Sequence, residues 1–150
     1  MNELIVFLIA AVPVFEVRAS VPLGIAAYHL SPLNTVLLSV AGSLLPVFPL
    51  LWFLNTLTDK LRKVPSLDRF FEWLFTRTRS KSKMIEDLEL VGLALFIGVP
   101  LPGTGVWTGV VAAYLLGLRW VPTFFASLAG TTIASLLMLL ATLGVINFIK

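Results

Sequence analysis

Glu16 and Arg18 stand two residues apart in the apolar stretch VPVFEVRASVP. Ionisable groups at bilayer depth cost on the order of several kcal/mol and are rarely idle. A carboxylate held there can exchange a proton with a passing carrier or bind a cation. A guanidinium stays charged and offers a planar fork to a carboxylate or phosphate. The bland alternative is a mutual ion pair that only closes a turn. Ser20 and Pro22 follow at the same interval. Serine caps helix starts and proline is tolerated in a first turn, so the spacing predicts a helix N-terminus there. Such an end carries free N–H groups and suits an anion.

A second stretch, PLPGTGVWTG at residues 100–109, has related chemistry. Pro100 and Pro102 block a helix, while Gly103 and Gly105 permit tight turns. Thr104 or Thr108 then serves as the cap of the helix that follows. Trp107 either lines a pocket or packs against the first stretch with its indole N–H satisfied. The substrate-binding candidates are therefore Arg18, Ser20, Thr104, Trp107 and Thr108. Glu16 is the candidate for proton or ion coupling, and Pro22, Pro100, Pro102, Gly103 and Gly105 shape the tips. His29 reads as an exposed loop residue. Paired carboxylates, a Ser-His-Asp set and thiolates are all missing from the sequence. Neither an enzyme nor a cofactor or metal site is expected. The glycines near residue 103 are no nucleotide fingerprint, because no strand precedes them.

The elements that hold these residues are membrane helices. The chain is 58% hydrophobic and 13% charged, with a mean hydropathy of +0.97. Residues 33–57 and 120–149 carry no charge, and a hydrocarbon core of about 30 Å takes roughly 20 helical residues. Inside lipid the backbone must satisfy itself, which predicts an all-α integral membrane protein. The N-terminus has no basic segment before its apolar run and makes a poor signal peptide. Of 11 Lys and Arg, eight lie between residues 60 and 83. That clustering marks the cytoplasmic side of a membrane rather than a nucleic-acid surface; the expected location is a prokaryotic inner or plasma membrane.

The chain also repeats itself. VP, AAY and AG occur at residues 12–13, 26–28 and 41–42, and again at offsets of 87, 86 and 88 residues. Each half has a broken apolar stretch (3–30 and 89–118) followed by one long span. If the broken stretches are re-entrant hairpins, Arg119 joins the basic linker on one side, as the positive-inside rule favours. Arms of about ten residues reach roughly 15 Å, half the core. The expected plan is a single membrane domain, 1–150. It comprises repeat one (1–57), a cytoplasmic linker (58–88) and repeat two (89–150), inverted, with both tips meeting near the midplane. In the linker, SLDRFFEWLFTRT (66–78) places Leu67, Phe70, Phe71, Leu74 and Phe75 on one helical face, with Ser66 as N-cap. Such a helix lies in the headgroup plane, as a simple connector or as a dimer or lipid contact. RTRSKSK (77–83) reads as a solvated run attracted to anionic lipid.

Glu16, Arg18, Ser20, Pro22 and Gly24 resemble the first signature of the small multidrug export protein family, and PLPGTGVWTG resembles its second. Where that family has Gly-Ala after the arginine, this chain has Ala19-Ser20. The resemblance covers nearly the whole chain and implies a transporter of small compounds. The plan of two hairpins plus spans is also similar to that of DedA-type membrane proteins, which implies movement of phosphorylated lipid carriers coupled to the proton-motive force. The leading expectation is a flippase or secondary transporter for an anionic amphipathic or lipid substrate. Protons or cations drive it, and it works as a homodimer in the bilayer. An exporter of cationic drugs, with Glu16 binding the cation, and a non-transporting scaffold built on helix 66–78 are the other readings.

Overall fold

A computed structural model describes residues 1–80 and 83–149. Lys81 and Ser82, from the basic run at 77–83, lie outside the described residues, as does Lys150. The described residues form helices α1 (Asn2–Ala11), α2 (Glu16–Pro22), α3 (Pro32–Leu44), α4 (Val47–Leu61), α5 (Pro65–Arg79), α6 (Lys83–Gly98), α7 (Val106–Leu115) and α8 (Trp120–Ile149). A π-helical segment, Leu23–Ala27, continues α2, and no strand occurs among the described residues.

Prolines set most of the boundaries. Pro13 follows Val12, whose extended backbone ends α1. Pro22 removes a backbone donor inside a continuing helix, and the helix relaxes into the wider π form, with Tyr28 N donating to Leu23 O at 3.0 Å. Ser31 caps α3 by accepting from Asn34 N at 3.3 Å, with Pro32 in the first turn. The uncharged run at 33–57, expected as one span, divides at Leu45-Pro46 into α3 and α4. Pro122 falls in the first turn of α8, where it is tolerated, so α8 stays continuous for 30 residues. Pro32–Leu61 and Trp120–Ile149 are each long and apolar enough to cross a membrane.

Several expected boundaries are corrected. α2 begins at Glu16, four residues before the cap assigned to Ser20. The N-cap of α7 is Gly105, neither Thr104 nor Thr108. Ser66 sits inside the first turn of α5, and the helix runs to Arg79. The arms also differ in length, since α6 has 16 residues and α1 has 10. Residues 77–79, read as solvated run, complete α5, and Lys83 opens α6.

The packing pairs equivalent elements. α1 packs on α3 as α6 packs on α8, while α2 packs on α8 and α7 packs on α4. α1 also packs against α2, and α6 against α7. Arg119 Nε, just after α7, lies 3.0 Å from Glu86 Oε1 near the start of α6. Lipid gives helices little hydrophobic reason to associate, so close approach through small residues must do it. A side chain at Gly42 would strike the Phe7 carbonyl and Ala10 on α1, and one at Gly130 would strike the Ala94 carbonyl and Ile97 on α6. These contacts match at offsets of 88 and 87 residues. The same offset of 88 relates buried Thr35, Ser39 and Ser43 on α3 to buried Thr123, Ser127 and Thr131 on α8. It also relates His29 (φ 52°) to Gly117 (φ 70°), the two left-handed residues that follow the second arms.

The main apolar core lies between α4, α6, α7 and α8, built from Leu51, Leu93, Ile97, Val110, Tyr114 and neighbours. Tyr114 on α7 shares a hydroxyl–hydroxyl hydrogen bond with buried Thr58 on α4. α5 is tied to this core by Phe75, and Phe71 is buried, while Leu67 and Phe70 of the expected apolar face remain exposed. Arg62 holds α5 at its start, with Nε 2.7 Å from Asp68 Oδ1.

Candidate functional site

Two turns meet in this fold. The first tip, residues 12–15, joins α1 to α2, and the second, residues 99–105, joins α6 to α7. Both are conformationally demanding. Val14 has φ 81° and Glu16 φ 43°, a region costly for residues with a Cβ and especially for a β-branched one. Gly103 has φ 82° on the second tip, where glycine adopts it freely. Strain of this kind persists only where surroundings over-determine it, and it gathers at functional sites.

The contacts across the tips supply that constraint. Arg18 Nη1 donates to Glu16 Oε2 at 3.2 Å, and Arg18 Nη2 donates to Thr104 Oγ1 at 2.8 Å. Glu16 Oε1 accepts from the backbone N–H of Trp107, in the first turn of α7, at 3.3 Å. Trp107 Nε1 donates to the Ala11 carbonyl at 3.2 Å, which uses an otherwise free acceptor at the end of α1. Both roles considered for Trp107 are thus met at once, because it also lines a cavity. Gly105 is needed for a steric reason: a Cβ there would run into the Glu16 carboxylate. Thr104 does not cap α7. Its hydroxyl lies 2.6 Å from Val99 O and 2.9 Å from Leu101 O, so it braces its own turn while accepting from Arg18.

A cavity of about 380 Å³ opens between the tips, lined by Pro13, Val14, Glu16, Arg18, Pro102, Gly103, Thr104, Gly105, Trp107 and Thr108. Glu16 is 4% exposed, and the Arg18 side chain is 19% exposed. The charged pair therefore sits at the cavity wall with little access elsewhere. Thr108 faces this space, with its hydroxyl donating to Gly105 O at 3.3 Å. Three residues of the expected site, the substrate-binding candidate Ser20 and the tip-shaping candidates Pro22 and Pro100, lie away from the cavity lining. Ser20 is fully buried and donates to Ser39 Oγ on α3 at 2.7 Å. Pro22 ends α2, and neither it nor Pro100 is part of the cavity lining. His29 is exposed, as expected for a loop residue.

Unmarked in the sequence analysis are Val14, Ala11 and a hydroxyl ladder, the buried Thr35, Ser39 and Ser43 on α3 with Thr123, Ser127 and Thr131 on α8. The first lines the cavity and has a left-handed backbone that its residue type does not announce, and the second contributes only a carbonyl. The hydroxyl ladder had a legible signal, since T-x-x-x-S-x-A-G recurs at 35–42 and 123–130.

Arranged this way, the site presents a guanidinium, a carboxylate and the N-terminus of α7 to one small cavity shared by two helical turns. A guanidinium and a helix N-terminus are groups that attract anions, and here both are engaged by the Glu16 carboxylate. Residues 16–137 match the family model described as "Putative small multi-drug export protein". No curated protein and no solved structure matches the chain. Glu16, Arg18 and the whole second tip lie inside the matched span, and the chain belongs to the putative small multi-drug export protein family.

Proposed function

We propose that this chain is a membrane transporter that carries an anionic amphipathic substrate, with the headgroup held between the two tips by Arg18 and the N-terminus of α7. Glu16 exchanges the proton or cation coupled to that movement. The observation that carries this reading is the Arg18 fork, which reaches Glu16 with one nitrogen and Thr104 of the other tip with the second. A cavity of about 380 Å³ lies at the lower end of the usual range for small-ligand sites. It suits a headgroup, with an apolar tail left in the bilayer, as a flippase of the DedA type requires. Export of a cationic drug is less well supported, because the Arg18 guanidinium lies 3.2 Å from Glu16 and repels a cation arriving there.

The membrane arrangement in this reading is two inverted repeats, each a re-entrant hairpin plus a span. The Glu86–Arg119 pair supports it, since it joins the start of α6 to the end of α7. So do the exchanged packing of α2 on α8 and α7 on α4, and the matched offsets. The basic linker then faces the cytoplasm of a prokaryotic cell. Because so few spans enclose a pathway, two copies act together as a homodimer, with exposed α8 residues such as Phe125 and Leu140 available to it.

Two experiments test this. Single cysteines at residues 2 and 149 of the naturally cysteine-free chain should both label from outside the cell; labelling from the cytoplasm alone means four full spans. In proteoliposomes, movement of a fluorescent phosphate-headed lipid should fall at least tenfold in Arg18→Ala and remain low in Arg18→Lys, which lacks the fork. Unchanged movement in folded Arg18→Ala protein contradicts the anionic reading.

A further inference from the structure

The carboxylate of Glu16 occupies the place where a substrate anion would bind. It accepts the Trp107 N–H at the start of α7 at 3.3 Å, and its other oxygen lies 3.2 Å from Arg18. Gly105 leaves room for that carboxylate against the backbone of the second tip. These are the donors that the proposed function gives to the substrate. We infer that Glu16 is an internal competitor for the anion site: the substrate anion displaces it only as Glu16 takes up a proton, so proton and anion bind together. This rests on the proposed anionic function and adds how the site is emptied and filled.

Charge balance in a low-dielectric site forces the ordering. In the structure, one carboxylate and one guanidinium give the site no net charge. An anion arriving beside an ionised Glu16 would leave one uncompensated negative charge there, which is costly. If Glu16 is protonated as it leaves, the arriving anion, Arg18 and the neutral acid again sum to zero. Among the described residues lining the cavity, no other charge intervenes. Glu16 and Arg18 are the charged residues of the cavity wall. The packed helices α3 and α8 carry no charged residue, and Glu3 lies at the opposite end of α1. From the second tip and α7, Thr104 and the Trp107 amide face the pair, and neither titrates in this range. Proton and anion then move in the same direction.

The test uses decyl sulfonate, whose charge is constant between pH 5 and 9, bound to full-length protein in nanodiscs of zwitterionic lipid. Replacing Trp52, Trp73 and Trp120 by Phe leaves Trp107 fluorescence as a report on the tip. The expected result is affinity that weakens up to tenfold per pH unit as pH rises, the limit for one linked proton. Glu16→Gln should bind at every pH with the affinity that the parent shows at low pH. Glu16→Asp should restore the pH dependence, which guards against a merely disturbed fold. Binding that is lost in Arg18→Ala but is pH-independent in the parent, with Glu16→Gln no tighter, overturns the competition and leaves the anion site standing. Binding absent from the parent and from Glu16→Gln at all pH values, or unchanged in Arg18→Ala, overturns both.

Discussion

Arg18 donates to the Thr104 hydroxyl at 2.8 Å across an interval of 86 residues, the same interval that separates Tyr28 from Tyr114. The central bridge of the site therefore joins near-equivalent positions of the two halves. One supplies a guanidinium and the other a small hydroxyl, so positions at matching intervals differ in chemistry.

Thr104 carries two duties, and they can be separated. Thr104→Ser keeps the hydroxyl and should retain transport within about threefold of the parent. Thr104→Val leaves the Val99 and Leu101 carbonyls and Arg18 without it. It should lower stability by about 1–3 kcal/mol and reduce transport at least tenfold. Thermal unfolding in detergent and proteoliposome transport check the two effects independently.

Gly105→Ala should be more harmful than its size suggests. The added methyl meets the Glu16 carboxylate, so the Trp107–Glu16 bond must break or the tip must shift, costing about 1–3 kcal/mol. Gly144→Ala, with nothing within 4 Å of the added carbon, should be neutral or raise stability by up to about 1 kcal/mol through helix propensity. Melting temperatures of the two variants should move in opposite directions or differ by several degrees.

Gly42 and Gly130 make equivalent approaches to α1 and α6. Ala at either position should destabilise by a similar amount, about 1–3 kcal/mol, because each forces a helix away from a carbonyl it touches. A large difference between the two in the same unfolding assay contradicts the equivalence of the halves.

The sequence made the charged pair legible because Glu16 and Arg18 have no neighbours of their kind in an apolar run. It made the tips legible because Pro13, Pro100, Pro102, Gly103 and Gly105 interrupt helices locally. What depended on tertiary partners was not legible. Ser20 looked like a cap from its neighbours alone, yet its hydroxyl is claimed by Ser39 from another helix. Gly105 rather than a threonine is the N-cap of α7, because Thr104 is held by its own turn and by Arg18. The break at Leu45-Pro46 was hidden by hydropathy, which treats an apolar proline as part of a span. The apolar face of α5 was correct in period, but only the neighbouring core decides that Phe71 is buried and Phe70 is not.

That decision is measurable. Phe71→Ala should destabilise by about 3–5 kcal/mol as a large-to-small core change. Asp68→Asn, which removes one carboxylate partner of Arg62 while Glu72 remains, should cost far less, because water screens a surface ion pair. Equal effects on thermal unfolding would mean that α5 is held by its ion pairs and not by its aromatic face.

The single measurement to make first is native mass spectrometry of gently purified protein, wild type beside Arg18→Ala. A co-purifying anionic species, held by the wild type and lost from the variant, is the expected result and locates the headgroup at the paired tips. The same species retained in both contradicts an anion site at Arg18.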